Sequence, residues 1–229
     1  MKIAFIAGTS IAQSSLFDDW TFETVETAYG PVQLKQKGDL ILLNRHNFKD
    51  PVPPHSINYR ANIRALKDLG TESVLSFNSV GSLKENLPPG TIVSCEDYVS
   101  FAPYTYHDNE LSGQAPVIAN NLIPEIVAAS EYSIETGKVY VQTRGPRFET
   151  KAEVRIVKDW GDVVGMTLAG EADLCQELEI AYNSICMIDN CAHGLMDQEL
   201  SLEKFRALVK ENQEKVNGFF SQILSLYSS

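Results

Sequence analysis

The chain has little with which to hold a metal, a membrane or a nucleic acid. Its four histidines and four cysteines (Cys95, Cys175, Cys186 and Cys191) show no CxxC pair and no ligand spacing, which argues against a zinc site. The cysteines fall inside apolar segments and read as buried free thiols, so a reducing, cytoplasmic location is expected. No apolar run approaches the roughly 20 residues that span a bilayer. The stretch from Met1 to Gly8 is too short for a signal peptide and reads as a first buried strand. Lys and Arg number 19 against 30 Asp and Glu, a net charge of -11. No nucleic acid and no anionic membrane surface is therefore an expected partner, since both need clustered cations. A small anion remains admissible, because a few local cations and helix N-termini hold phosphate even in an acidic protein. No repeat, low-complexity tract or linker interrupts the 229 residues, which read as one domain, 1–229.

What the chain does have is alternation of strands and helices. Strands are expected at Lys2–Ala7, Thr21–Ala28, Val32–Lys35, Leu40–Leu43, Ser73–Phe77, Thr91–Cys95, Lys138–Gln142, Val163–Thr167 and Tyr182–Ile188. Amphipathic helices follow Ile57 (ending at Gly70), Leu122, Lys151 and Ala169. A long last helix is capped by Ser201, with Leu200 and Phe205 as a hydrophobic staple. Residues Glu96 to Gly113 have no firm period and read as a loop covering a site. The pattern is that of an α/β protein, a single domain with a central mixed β-sheet flanked by helices.

Polar and small residues gather at the strand ends: Gly8-Thr9, Arg45-His46, Asn78-Ser79, Met166-Thr167 and Asn190. Each alone has a plain reading, a turn or a surface pair, beside a functional one. Arg offers a planar fork for phosphate oxygens, His a further donor or a proton, and small turns let backbone N–H groups approach an anion. Convergence on one rim would join them. The sharpest stretch is Gly145-Pro146-Arg147-Phe148-Glu149-Thr150. Thr150 with Glu153 has the spacing of a capping box, which leaves Phe148 and Glu149 at a strand-to-helix corner. A ring beside a carboxylate suits a flat, hydrogen-bonding ligand such as a purine; a capped helix with a buried Phe is the alternative. Phe22-Glu23-Thr24 repeats the tripeptide in an alternating strand and reads as a decoy.

Taken in order, Asn44-Arg45-His46, Pro53 to Ile63, Val80 to Leu83 with Pro89-Gly90, Gly145 to Glu153, Val164 to Thr167 with Glu171, and the strand ending at Asn190 resemble the trimeric purine nucleoside phosphorylase and methylthioadenosine phosphorylase family. The resemblance implies phosphorolysis, in which phosphate attacks C1′ of a purine nucleoside and releases the base and a pentose 1-phosphate. It also implies a homotrimer and no cofactor or metal, inorganic phosphate being a co-substrate. By that resemblance Thr9, Arg45, His46, Ser79 with Asn78 beside it, and Thr167 hold phosphate. Phe148 faces the purine and sugar, Met166 lines the ribose, and Asn190 faces N7 as the catalytic donor.

The methylthioadenosine-specific branch carries Asp where Asn190 and Ala192 stand and Ser where Glu149 stands. Glu149 can accept from N1–H of a 6-oxopurine, and the Asn190 amide can serve both O6 and N7. Adenine presents an acceptor at N1, which an ionised Glu149 repels, so hypoxanthine or guanine nucleosides are the expected substrates. Leu202 and Phe205 fall where that branch surrounds the 5′ substituent with apolar residues; they are either a pocket favouring 5′-methylthioinosine or ordinary core. Family pockets borrow residues from a neighbouring subunit, and by that resemblance Tyr106 and His107 are candidates for that part. Two turns depart from the family: Ala7-Gly8-Thr9-Ser10, and Asn47 to Asp50, where Asp50 sets a negative charge near the phosphate unless it turns outward. A hydrolytic nucleosidase and a purine-binding protein without catalysis stand as alternatives.

Overall fold

The computed structural model describes the chain except Gln13, Ser112, residues 197–201 and Ser229; the side chains of Thr9, Ser10, Leu202, Lys204 and Phe205 are likewise outside the description. The strands are β1 (Ile3–Ala7), β2 (Thr21–Thr27), β3 (Gly30–Lys37), β4 (Leu40–Asn44), β5 (Ser73–Ser82), β6 (Ile92–Val99), β7 (Ile134–Gln142), β8 (Val163–Gly165) and β9 (Ala181–Cys191). The helices are α1 (Thr9–Ala12), α2 (Tyr59–Asp68), α3 (Ile123–Ala129), α4 (Lys151–Val157), α5 (Leu168–Glu177), α6 (Leu202–Glu211) and α7 (Gln213–Tyr227).

All nine strands share one mixed sheet in the order β2-β3-β4-β1-β5-β8-β7-β6-β9, and β9 also pairs with β5. The second half of the sheet thus closes on itself through β5, β8, β7, β6 and β9. Along its other edge β5 changes partner. Ser73–Ser76 pair in parallel with β1, whereas Gly81 and Ser82 pair antiparallel with β8. The edge between, from Phe77 to Val80, is left by both neighbours. A sheet that divides in this way opens a crevice at the division, the place where α/β proteins take ligands.

Period-two alternation sends successive β1 side chains to opposite layers. Ala4 and Ile6 join a core that includes Tyr59, Ile63 and Leu66 of α2 and Leu168 and Leu174 of α5. Ile3, Phe5 and Ala7 join the opposite core with Ile11 and with Phe219, Phe220 and Ile223 of α7. β1 and β4 are buried on both faces, which is why they read as unbroken apolar runs.

Several expectations need correction. β5 does not end at Phe77 but continues through Asn78 to Ser82, and β9 runs on through Asn190 to Cys191. β6 continues to Val99, so the irregular covering segment begins later than Glu96. The small residues after β1 open a short helix. The single C-terminal helix is two, α6 and α7, separated at Asn212. The Leu200–Phe205 staple and the Ser201 cap lie outside the described residues. The Thr150 capping box is present: Glu153 N–H donates to Thr150 Oγ1 at 3.1 Å and Thr150 N–H to Glu153 Oε2 at 2.7 Å.

Candidate active site

The crevice is a cavity of about 320 Å³. Every strand end singled out in the sequence reaches it: Gly8 after β1, Arg45 and His46 after β4, Ser79 on β5, Met166 and Thr167 after β8, and Asn190 on β9. Phe148, Glu149 and Ala192 line it as well. Among the expected residues, Asn78 is not a lining group; it is fully buried and stands behind Ser79 and Thr167. Thr9 opens α1, but its side chain lies outside the description, as do those of Leu202 and Phe205. Asp50 is exposed; Tyr106 and His107 lie away from this chain's own cavity, with Tyr106 Oη donating to Arg60 O and His107 N–H to Thr105 Oγ1. Phe22 of the decoy tripeptide is exposed on β2.

Arg45 organises one end. Its guanidinium, 3% exposed, donates through Nε to Glu171 Oε1 at 2.6 Å and through Nη2 to Ser76 Oγ at 2.9 Å, Ile6 O at 3.2 Å and Glu171 Oε2 at 3.3 Å. Nη1 donates to Phe77 O at 2.9 Å. One Nη1 hydrogen then has no acceptor among the described residues. Nη1 is also the atom nearest to where a side chain on Gly8 would begin, 3.9 Å away, so this nitrogen sits beside the Gly8 turn. Burial opposes the Arg45 charge, but the Glu171 carboxylate outweighs it and the net shift is upward.

Behind Arg45 the polar groups form a closed relay. Thr167 Oγ1 donates to Asn78 Oδ1 at 2.8 Å, Asn78 Nδ2 to Ser76 Oγ at 3.0 Å, and Ser76 Oγ to Glu171 Oε2 at 2.5 Å. Tyr182 Oη adds a donor to the same oxygen at 3.0 Å. Asn78 is therefore a support for the site: both ends of its amide are taken by neighbours. His46 Nδ1 lies 2.9 Å from Val52 O, which makes that nitrogen the donor and leaves Nε2 as an acceptor. Burial, then the nearby Arg45, lowers the His46 pKa, so the neutral ring prevails at pH 7.

The other end is less occupied. Glu149, 7% exposed, accepts from Thr143 Oγ1 at 2.6 Å through Oε1, and its backbone carbonyl lies 3.1 Å from His193 Nδ1. No described group donates to Glu149 Oε2. Asn190 Nδ2 donates to Cys191 O at 2.7 Å, and no described group donates to its Oδ1. Gly81 packs against this amide: a Cβ there would meet Asn190 Nδ2 at 3.3 Å. Gly145, at φ 67°, lies so close to Met166 that a Cβ would fall 2.5 Å from Sδ, so only glycine serves both the turn and the contact. A further wall is apolar, with Ile11, Met187, Val209 and Val216, and carries one amide, Gln213.

Asp189 was not among the expected site residues, yet it lines the cavity beside Asn190. Strand alternation would send the two to opposite faces. The pairing explains the exception: Val80 faces Ile188 but Gly81 faces Asn190, so Asp189 is the extra residue of a β-bulge. The sequence carries no mark of a bulge at this position. Thr143 and Gln213 went unrecognised because both act from outside any motif. Glu171 belongs to a matched motif that implies no role for it; its signal is an acid flanked by small and apolar residues in α5.

The sequence profile of the phosphorylase superfamily matches residues 5–225. The chain belongs to that superfamily. A probable S-methyl-5′-thioinosine phosphorylase of Methanocaldococcus jannaschii is 40% identical over 93% of the chain and 88% of the relative. A probable 6-oxopurine nucleoside phosphorylase of Dictyoglomus turgidum is 36% identical over 98% of the chain and 91% of the relative. Among solved structures, the methylthioadenosine phosphorylase of Schistosoma mansoni in complex with adenine superposes with a TM-score of 0.82 at 24% identity, covering 100% of this chain and 92% of that one, a likeness of fold. Within the superfamily, this chain has the α/β architecture with a central mixed sheet expected from its sequence.

Proposed function

We propose that the chain catalyses phosphorolysis of 6-oxopurine nucleosides, with the base read by Glu149 and Asn190 and phosphate taken at the Arg45 end. The observation that carries this reading is the buried Glu149 carboxylate, with one oxygen held by Thr143 and the other without a donor among the described residues. Such a carboxylate is satisfied by N1–H of hypoxanthine or guanine and is left facing a lone pair by adenine. The mismatch costs on the order of 1–3 kcal/mol. The names of both relatives described above, a methylthioinosine enzyme and a 6-oxopurine nucleoside enzyme, agree with this preference.

In the reaction the glycosidic bond breaks through an oxocarbenium-like state and negative charge collects on the purine. A donor from the Asn190 amide toward N7 stabilises that charge as it develops, so it lowers the barrier more than it tightens binding. Phosphate on the opposite side of the sugar faces the growing positive charge and is positioned to attack C1′. The spare Nη1 hydrogen of Arg45 supports an anion there, and the neutral His46 can accept from a protonated phosphate oxygen. The apolar wall of Ile11, Met187, Val209 and Val216 supports a 5′-methylthio group over a 5′-hydroxyl.

A homotrimer is the assembly the family resemblance favours. Phe101, 79% exposed, meets Trp160 edge-on at 5.4 Å and offers an apolar patch for a second copy to cover. Sedimentation of the purified chain checks it.

The deciding assay measures base release from inosine, guanosine, adenosine and their 5′-methylthio analogues, with and without phosphate. The expected result is phosphate-dependent release, fastest for a 6-oxopurine, with pentose 1-phosphate as co-product. Release of free sugar without phosphate would mean a hydrolase, and binding of hypoxanthine without turnover would mean a binding protein.

A further inference from the structure

The phosphorolysis mechanism leaves one carboxyl in the cavity unused. Asp189, the bulge residue of β9, is 3% exposed, lines the cavity and has only neutral partners among the described residues. Ser79 Oγ donates to its Oδ2, and Asn212 Nδ2, from the junction of α6 and α7, donates to its Oδ1 at 2.9 Å. No described side chain forms an ion pair with it. The charged and titratable groups nearest in the fold point elsewhere. Arg45 is committed to Glu171, His46 Nδ1 faces Val52 O, and Lys215 Nζ donates to Gly90 O. Lys210 and Glu211 at the end of α6 are exposed, and the β6 residues that pair with β9, Ile92 and Val93, are apolar.

This arrangement conflicts with phosphate binding as long as Asp189 is ionised. A serine hydroxyl has one hydrogen, and that of Ser79 is spent on Oδ2. An anion arriving at Ser79 would find a lone pair and a carboxylate behind it in a poorly solvated site. Protonation removes both obstacles. Asn212 keeps Oδ1 as an acceptor, so the proton goes to Oδ2; the new O–H then donates to Ser79 Oγ, and the serine hydrogen turns to the phosphate. We infer that Asp189 is a proton-linked positioning residue: phosphate binding draws one proton from solvent onto Asp189 Oδ2, and Ser79 changes from donor toward Asp189 to donor toward phosphate. No bond of the substrate is made or broken in this step. Burial, opposed by the two hydrogen bonds, already raises the Asp189 pKa in the unliganded protein. Because binding takes up a proton, phosphate affinity falls as pH rises through the Asp189 titration. Binding of the nucleoside alone is not linked to it.

The inference rests on the phosphorolysis reading, and its test separates the two. Inorganic phosphate is titrated calorimetrically into the intact wild-type protein and into Asp189→Asn, from neutral to alkaline pH, in buffers of different ionisation heat. Phosphate's own ionisation is common to both proteins and cancels. The wild type is expected to take up as much as one more proton per phosphate than the variant. Its phosphate affinity should fall up to tenfold per pH unit more steeply on the alkaline side. An infrared difference spectrum of the wild type, which needs no variant, should show a protonated-carboxyl stretch appearing with phosphate. Phosphate binding with equal proton counts, or without that band, overturns the inference alone. No phosphate binding by the wild type would overturn the phosphorolysis reading and this inference together.

Discussion

The two ends of the cavity use similar groups, hydroxyls, amides and carboxylates, but leave different work for the ligand. At the Arg45 end the side chains bond to one another first: Thr167 to Asn78, Asn78 to Ser76, Ser76 and Arg45 to Glu171. Little remains over beyond one guanidinium hydrogen and a histidine nitrogen. At the Glu149 end, Thr143 and the Cys191 carbonyl orient the carboxylate and the amide, and an acceptor is left on each. A network with every member satisfied is stiff and fixes a shape. A pair with open valences discriminates, because a wrong base leaves a buried group unpaired. The first end would hold an anion common to all substrates; the second would choose among bases.

The largest effect should come from breaking the stiff end. Glu171→Gln strands the buried Arg45 charge, and unfolding by denaturant should show a loss of about 3–5 kcal/mol. A loss as small as that of a surface pair would mean that Arg45 is not held as described. At the discriminating end, Asn190→Ala removes the proposed donor to N7 and should cut kcat about 100- to 1000-fold with little change in KM. Glu149→Gln should lower the preference for 6-oxopurine over adenine nucleosides by roughly 10- to 100-fold, with fold and phosphate KM unchanged.

A second Arg–Glu pair gives the smallest effect and the control. Arg147 and Glu153 are as well matched as Arg45 and Glu171, at 2.7 and 2.8 Å, but their side chains are 65% and 44% exposed. Arg147→Ala should leave Tm and kinetics near those of the wild type. Its hydrogen bonds, with that from Thr150 N–H, hold the Glu153 carboxyl down to about 2. The support it gives α4 is complete above the ordinary carboxylate range and lost as pH falls toward 2. Helicity followed by circular dichroism during acid titration, in wild type and Glu153→Gln, checks the sign.

Much of this was legible in the chain because local chemistry dictated it. Apolar runs mark β1 and β4, the Thr150–Glu153 spacing marks the cap, and small or cationic residues at strand ends mark the rim. What escaped depends on pairing between distant strands. Asn78 reads as a turn residue, but β5 continues through it because β9 pairs along its whole length. Asp189 reads as facing away from Asn190 until the bulge opposite Val80 and Gly81 turns both toward the cavity. Asn212 reads as mid-helix, yet it is where α6 gives way to α7 and where the helices reach Asp189. None of these follows from a residue and its near neighbours.

The central claim is that Glu149 selects the base. Its most direct test is the ratio of kcat/KM for 5′-methylthioinosine to that for 5′-methylthioadenosine, at saturating phosphate, in wild type and Glu149→Gln. The expected ratio is well above one in the wild type and falls roughly 10-fold or more in the variant. An unchanged ratio, or a wild type that prefers the adenosine substrate, would contradict it.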